Sequence, residues 1–136
     1  MIYIGFDNGV TNNGIGVVDM LGEGKLYPLP VKRELSYTKE AKHITRVDIE
    51  GLTRWRDQLL ENFPDVCASD IRVGLERPMV NSTRFNASLS AIRALEATLI
   101  FLESFNWAYE YIDSKEWQKA LLPNGLKEAT SLKKLA

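Results

Sequence analysis

The first 19 residues constrain the fold most, because they predict two β-strands that pair with each other. Residues 2–6 form a short apolar run of β-favouring residues that ends at Asp7, and residues 14–18 form a second run that ends at Asp19. The residues between the runs include Asn-Gly and Asn-Asn-Gly, which tolerate the positive φ angles of tight turns. The chain therefore begins with a predicted antiparallel β-hairpin.

Strands and helices alternate along the next part of the chain. Residues 21–30 contain two glycines and two prolines and predict a loop, whereas residues 31–38 predict a third strand. Asp48 is a candidate N-cap for a helix whose apolar residues recur every three or four positions, at Leu52, Trp55, Leu59 and Phe63. Residues 71–75 predict another strand, which ends at Glu76 and is stopped by Pro78.

The second half of the chain contains the longest predicted helix. Residues 81–83 (Asn-Ser-Thr) can cap it, and its apolar stripe comprises Leu89, Ile92, Leu95, Leu99, Leu102 and Phe105. Residues 107–112 predict a strand, a short helix follows Ser114, and a last helix begins near Lys127. Early hairpins followed by β-α-β-α-β indicate an α/β domain with a mixed sheet of about five strands, the first three antiparallel, and helices on both faces.

Composition excludes several classes of protein. The chain has 136 residues, enough for one domain, and its 45% hydrophobic and 26% charged residues argue against disorder and collagen. No uninterrupted apolar run approaches the ~18 residues of a membrane span, and the N-terminus does not resemble a signal peptide. The single cysteine, Cys67, suits a reducing cytoplasm and is expected to be buried. His43 is the only histidine, which excludes a Cys/His zinc site and suggests a surface position.

The charges are unevenly distributed although the formal net charge is only −1. Residues 1–24 hold three acids and no base, residues 77–95 hold three arginines and no acid, and residues 114–136 hold five lysines against two glutamates. Folding can bring such segments together as an anionic pocket with a cationic rim, which suits a metal site that handles a polyanion. Scattered solvated charge explains the same pattern equally well.

Two carboxylates occupy matching positions, because Asp7 and Glu76 each end a predicted strand. If the two strands are neighbours, both side chains can bind one divalent cation. Mg²⁺ takes oxygen ligands and keeps several waters, so two protein carboxylates and phosphate oxygens suffice for it. Solvated strand-end acids are the alternative. Asp19 ends the second strand and is expected to be structural.

Several segments, in order, resemble a known family. Residues 4–9 (Ile-Gly-Phe-Asp-Asn-Gly) and 13–19 (Asn-Gly-Ile-Gly-Val-Val-Asp) resemble the opening hairpin of the RNase H-like superfamily. Residues 73–78 (Val-Gly-Leu-Glu-Arg-Pro) resemble the second acidic strand of the RuvC Holliday-junction resolvases, especially phage-type members. Residues 111–119 resemble the strand and short helix that come later in that family, and Lys127 and Ser131 resemble the basic helix start that comes next.

The resemblance implies a Mg²⁺-dependent endodeoxyribonuclease, with Mn²⁺ as a substitute, that resolves Holliday junctions or other branched DNA as a homodimer. Asp7 matches the first metal-binding catalytic acid and Glu76 the second. Lys119 and Lys127 match basic positions that contact DNA in the family. Arg84, in the stretch without acids, is a further candidate for phosphate contact, or else a solvated charge at the start of the long helix. Residues 86–105 are expected to carry the dimer contact.

The chain departs from the family's pattern at its end. The family places further acids on a final helix beyond the stretch that resembles residues 127–132, so the sequence predicts a truncated domain or lost ligands, with Asp113 as a possible substitute. Binding to four-way DNA is therefore expected to survive better than cleavage. Two alternatives stay open: a non-catalytic junction-binding protein, and a fragment of an actin-like or heat-shock ATPase, whose first phosphate loop residues 7–14 also resemble. Phe85 is expected to pack as a buried staple rather than insert into a junction.

Overall fold

The computed structural model describes residues 1–7, 14–40, 42–78 and 80–112. Its strands are β1 (Ile2–Asp7), β2 (Gly14–Val18), β3 (Gly24–Tyr27), β4 (Val31–Leu35), β5 (His43–Val47), β6 (Ile71–Glu76) and β7 (Tyr109–Ile112). Its helices are α1 (Ile49–Asn62) and α2 (Phe85–Ser104). Single 3₁₀ turns precede β6 and α2.

Five of the strands form one mixed sheet in the order β3-β2-β1-β6-β7. β2 pairs antiparallel with both β1 and β3, whereas β6 lies parallel to β1 and β7 lies parallel to β6. The predicted mixed five-stranded sheet is therefore confirmed, and so is the opening hairpin. The two strands that end in Asp7 and Glu76 are direct neighbours at the centre of this sheet.

One face of the sheet, here called the core face, is covered by apolar side chains. Alternate residues of the three central strands point to it and are at most 5% exposed: Ile2, Ile4, Phe6, Ile15, Val17, Ile71, Val73 and Leu75. Because successive side chains of a strand point to opposite sides, the intervening residues lie on the other face, here called the outer face.

Both described helices pack against the core face, whereas the sequence predicts helices on both faces of the sheet. Trp55 of α1 contacts the ring of Phe6 edge-to-face, with 5.9 Å between ring centroids. Phe101 and Leu102 of α2 belong to the same buried cluster. Arg56 of α1 lies 4.7 Å from the centroid of the Phe105 ring, which links the two helices. The helices predicted after Ser114 lie outside the described residues.

The third strand differs from the sequence prediction. β3 lies within residues 21–30, which the sequence predicts as a loop, whereas residues 31–35 form β4 and pair with β5 in a separate two-stranded sheet. Pro28 and Pro30 explain the change, because proline donates no ladder hydrogen bond and ends β3 at the sheet edge. β5 has only two apolar side chains, Ile44 and Val47, and they are three positions apart rather than alternating, so its pattern alone does not predict a strand.

The buried stripe of α2 is also only partly as predicted. Leu89 and Ile92 are 40% and 42% exposed, whereas the small Thr98 is fully buried. Thr98 can be buried because its hydroxyl donates a hydrogen bond to the Ala94 carbonyl oxygen at 2.8 Å. The segment Ser82–Ser104 is long and apolar enough to cross a membrane, a property that core helices of soluble proteins share. Spacing of large apolar residues is therefore correct for Leu95, Leu99, Leu102 and Phe105, which lie in or pack against the core, and wrong for Leu89 and Ile92.

The remaining single-residue predictions have mixed outcomes. Leu52, Trp55 and Leu59 of α1 are buried as predicted, and His43 is exposed as predicted. Two predictions of burial are wrong, because Cys67 is exposed and Phe85 is 67% exposed.

Candidate functional site

The outer face carries few side chains at its centre. Gly5 of β1 pairs with Gly16 of β2 on one side and with Gly74 of β6 on the other, so three glycines form one row across neighbouring strands. A Cβ atom added at Gly5 would meet no described atom within 4 Å, whereas one added at Gly74 would collide with Cδ1 of Ile112. The described part of this face is therefore open around Gly5.

Asp7 and Glu76 lie next to the glycine row. Phe6 pairs with Leu75 in the parallel register of β1 and β6, so the following residues, Asp7 and Glu76, are side by side at the carboxyl ends of the two strands. Neighbouring strands are about 4.8 Å apart. Phe6 and Leu75 point to the core face, so both carboxylates belong to the outer face, and each residue is half-buried.

The backbone around the two acids is held on both sides. Asp7 pairs with Gly14 of β2, and Glu76 pairs with Ile112 of β7. Just beyond β6, the Arg77 N–H donates to the Ile112 carbonyl oxygen at 3.2 Å, and the Arg77 guanidinium lies 5.4 Å from the centroid of the Tyr111 ring. Both acids are therefore presented by regular strands at the centre of the sheet rather than by loops.

The two acids have the donor chemistry that a hard divalent cation requires. Carboxylate oxygens are the ligands that Mg²⁺ prefers, and Mg²⁺ commonly uses one or two of them with water and phosphate oxygens. Within the described ranges, no group of three or more His, Cys, Asp or Glu side chains comes together. Asp7 and Glu76 thus fit such a cation as a two-carboxylate set, and Asp113 lies outside the described residues.

Asp19 has the structural role that the sequence predicts. Asp19 follows the last residue of β2, which pairs with the start of β1. It therefore lies beyond the opposite end of the strands from Asp7. Its Oδ1 atom accepts hydrogen bonds from the Leu21 and Glu23 N–H groups at 2.9 and 3.0 Å. The side chain closes the turn into β3 and takes no part in the carboxylate pair.

Arg84 is the one predicted DNA-contact residue within the described ranges. It is exposed at the N-cap position of α2, and its N–H donates to the Asn81 carbonyl oxygen at 3.0 Å. Asn81 accepts from the Thr83 N–H, also at 3.0 Å, and the Asn81 N–H donates to Ser88 Oγ at the same distance. These bonds fix the helix start that carries Arg84. Lys119 and Lys127 lie outside the described residues.

A cleft that the sequence does not predict lies between the β4–β5 hairpin and the first half of α2. Its volume is about 550 Å³, and Lys42, Arg46 and Arg93 line it together with apolar residues and Phe85. The cleft depends on β5, a strand without a clear sequence signal. The basic composition of residues 31–47, with five Lys or Arg against two Glu, is the one signal that marks this hairpin.

One ion pair stiffens the hairpin beside the cleft. Arg46 of β5 donates a hydrogen bond to Glu34 of β4, and this bond holds the pKa of the Glu34 carboxyl below its ordinary value. The charges of Arg46 and of nearby Lys32 act in the same direction. The pair is partly exposed to solvent, so dissolved salt should screen it.

Comparison with solved structures identifies similar folds. A structure of T. thermophilus RuvC in complex with a Holliday junction substrate has a TM-score of 0.54 and 16% identity, covering 98% of this chain and 75% of that chain. A second structure of Thermus thermophilus RuvC has a TM-score of 0.50 and 17% identity, covering 89% and 69%. No family model and no curated protein matches this sequence. The likeness establishes an RNase H-like fold of the RuvC kind.

Proposed function

We propose that this protein is a Mg²⁺-dependent, structure-selective endodeoxyribonuclease that acts on Holliday junctions or other branched DNA. One observation carries the proposal: Asp7 and Glu76 lie side by side on an open sheet face, at the carboxyl ends of two parallel strands. The fold adds support, because a structure with the same architecture is RuvC in complex with a Holliday junction substrate. The sheet holds the two carboxylates in fixed positions, and the similarity of fold supports DNA as the substrate.

In this proposal the two acids hold the cation and orient the scissile phosphate. Their positions on regular strands limit the movement of the carboxylate oxygens, which favours a fixed coordination geometry. A bound Mg²⁺, for which Mn²⁺ can substitute, would lower the pKa of a coordinated water and stabilise the leaving oxygen. The row of Gly5, Gly16 and Gly74 next to the acids adds no side chain that would hold a DNA strand away.

Basic residues supply binding energy in this proposal. Arg84 is exposed at the start of α2, where it can reach a phosphate, and Lys119 and Lys127 are proposed to do the same. Each phosphate contact releases about one counterion, so loss of one such residue should lower the slope of log affinity against log salt by about one unit. The predicted effect is similar for every DNA sequence, because phosphate contacts carry no base information.

We also propose that α2 mediates a homodimer. Ile92 is 42% exposed, and Leu95 and Leu99, which pack partly against the core, leave their remaining exposed surface within about 60° of Ile92 around the helix. Two further apolar residues, Ile100 and Phe101, are predicted from the helical spacing to lie beside the stripe. Ile100 is 59% exposed, whereas Phe101 is only 3% exposed and packs in the core, so Phe101 cannot face a partner. A second copy would cover the stripe, and two copies would bring one acid pair to each of the two strands of a four-way junction that have to be cut.

Sedimentation tests the dimer. At tens of micromolar protein, a dimer is expected that Ile92→Lys converts to a monomer. Leu21→Lys is the matched control, because Leu21 is 88% exposed on a turn far along the chain from α2. A wild-type protein that stays monomeric at this concentration contradicts the proposed interface.

DNA binding and cleavage test the enzymatic proposal. With Ca²⁺ in place of Mg²⁺, the protein should bind a four-way junction at least tenfold more tightly than a linear duplex of the same sequence. In Mg²⁺, Asp7→Asn or Glu76→Gln should abolish nicking of the junction, because each removes one of the two carboxylates that hold the cation in this proposal. Asp19→Asn is the control, because asparagine keeps the Oδ1 acceptor that closes its turn.

Two results would contradict the enzymatic proposal. Equal affinity for junction and duplex would remove the structure selectivity, and nicking that persists in Asp7→Asn would remove the carboxylate pair from the chemistry. Junction binding without any Mg²⁺-dependent nicking, in protein that binds no metal, would instead favour the non-catalytic binder. Tight binding of ATP rather than DNA would favour the nucleotide-binding alternative.

A further inference from the structure

The cleft beside α2 has the volume and the apolar base that are typical of a ligand site. Its volume of about 550 Å³ falls within the range of pockets that hold small molecules or short polymer segments. The base of the cleft is apolar, and Leu29 and Val47, which are 3% and 6% exposed, belong both to it and to the core. No lining residue comes from β1, β2 or β6, so the cleft is separate from the carboxylate pair.

The charges around the cleft favour an anionic ligand. Lys42, Arg46 and Arg93 line it against one acid, Glu40. The ion pair between Lys42 and Glu40 spans 3.9 Å between two exposed side chains, so it leaves Lys42 able to exchange partners. The start of α2 also borders the cleft, and the partial positive charge of a helix N-terminus adds to the same field.

Arg93 has an unused donor at this site. Its Nη2 group donates to Ser90 Oγ at 3.1 Å, whereas its buried Nε–H has no hydrogen-bond partner among the described residues. A buried guanidinium N–H without an acceptor is costly, so an oxygen of an incoming anion would relieve the cost. This is a second observation, independent of the count of charges, that indicates an anion at this end of the cleft.

Phe85 supplies an aromatic surface beside these cations. It lines the cleft and is 67% exposed, an unusual position for a large aromatic side chain at a helix start. An exposed ring next to cationic groups is the arrangement on which unpaired bases stack while their phosphates are neutralised. Paired bases in duplex DNA present no free ring face, so this combination favours a single strand over a duplex.

We propose that the cleft between the β4–β5 hairpin and α2 binds an unpaired strand of branched DNA. One base stacks on Phe85, and the adjoining phosphate is bound by Arg93 with Lys42, because the Arg46 guanidinium is already paired with Glu34. The choice of DNA rests on the proposed function, and the inference narrows the substrate class to branched DNA with a single-stranded arm.

Binding of a fluorescent hexathymidylate in EDTA tests this proposal. Phe85→Ala should weaken binding about tenfold, and Phe85→Trp should restore it, because stacking depends on the ring rather than on phenylalanine itself. Arg93→Gln should weaken binding by a similar factor and lower the salt slope by about 0.7 unit, the value for single strands. Arg33→Gln is the matched control: Arg33 is exposed on the same hairpin but does not line the cleft, so its loss should change affinity by about twofold at most.

Absence of hexathymidylate binding by the wild-type protein overturns the proposal, and so does unchanged binding by Phe85→Ala. If Arg93→Gln fails to fold, Phe85→Ala decides the question alone, because its ring is mostly exposed and circular dichroism can verify its fold. EDTA removes any metal-dependent step, so this result is independent of whether Asp7 and Glu76 act in cleavage. In a second experiment, a four-way junction with a single-stranded tail should bind more tightly than a fully paired junction. The Phe85→Ala variant should lose this difference in affinity.

Discussion

The two faces of the central sheet come from the same strands yet differ in composition. On the core face, Ile4, Phe6 and Leu75 are at most 2% exposed. On the outer face, the residues next to them are Gly5, Asp7 and other polar or small residues. The alternation of strand side chains lets one short segment supply stability on one side and chemistry on the other. Substitutions on the two faces should therefore have separable effects.

Adjacent valines of β2 give the largest expected difference in stability between the faces. Val17 is 5% exposed on the core face, whereas Val18 is 43% exposed on the outer face. Val17→Ala should lower the free energy of unfolding by about 2 kcal/mol, from lost burial and the cavity left behind. Val18→Ala should lower it by about 0.5 kcal/mol. Urea denaturation measures both, and equal losses would mean that the outer face is as closely packed as the core.

Substitutions of two glycines in the central row should give a smaller difference in stability, within the outer face alone. Gly74→Ala should cost about 1 kcal/mol, because the new Cβ collides with the end of the Ile112 side chain, which can shift. Gly5→Ala should be close to neutral, since the added Cβ meets no described atom and alanine restricts the unfolded chain. Thermal denaturation of both variants checks this order. A larger loss for Gly5→Ala would show that this face is covered around β1.

The hairpin that holds Glu34 lies outside both faces and should show the smallest effect. The Arg46 hydrogen bond lowers the pKa of Glu34, so its contribution to stability is present above the ordinary glutamate pKa. That contribution is lost as the pH falls through the lowered value in the folded protein. Arg46→Gln should raise the Glu34 pKa toward its ordinary value, and 1 M salt should raise it in part. A carboxyl-carbon NMR titration measures this, and an unchanged pKa in Arg46→Gln would rule out the pairing.

The sequence predicts four strands of the central sheet, because they are apolar, short and bounded by turn residues, whereas β3 lies in a segment whose glycines and prolines predict a loop. It also predicts that Asp7 and Glu76 come together, because each residue follows a buried strand and parallel neighbours end at one edge. The β4–β5 hairpin is different: β5 has few apolar residues, and its pairing depends on contacts distant in the chain. The cleft, and with it the position of Arg93, follows from that hairpin and so could not be predicted.

The buried side of α2 shows a second limit of sequence reasoning. The spacing of apolar residues predicts that the large Leu89 is buried. In the structure Thr98 is buried instead, and Leu89 is 40% exposed. Close helix packing favours small side chains, and a threonine hydroxyl can be satisfied within its own helix. Hydrophobic spacing alone therefore identified the helix and the later half of its buried stripe, but not the exposure of Leu89 or the burial of Thr98.

Divalent-cation binding tests the central claim, that the outer face carries a shared carboxylate site at Asp7 and Glu76. Water-proton relaxation with Mn²⁺ measures binding directly, without DNA or catalysis. The wild-type protein should bind Mn²⁺, and Asp7→Asn and Glu76→Gln should each weaken binding at least tenfold, because each removes one of two charged ligands. Asp19→Asn, at a strand-end aspartate beyond the opposite end of the strands, should bind as the wild type does. Unchanged binding in both Asp7→Asn and Glu76→Gln, or an equal loss in Asp19→Asn, would contradict a metal site on this face.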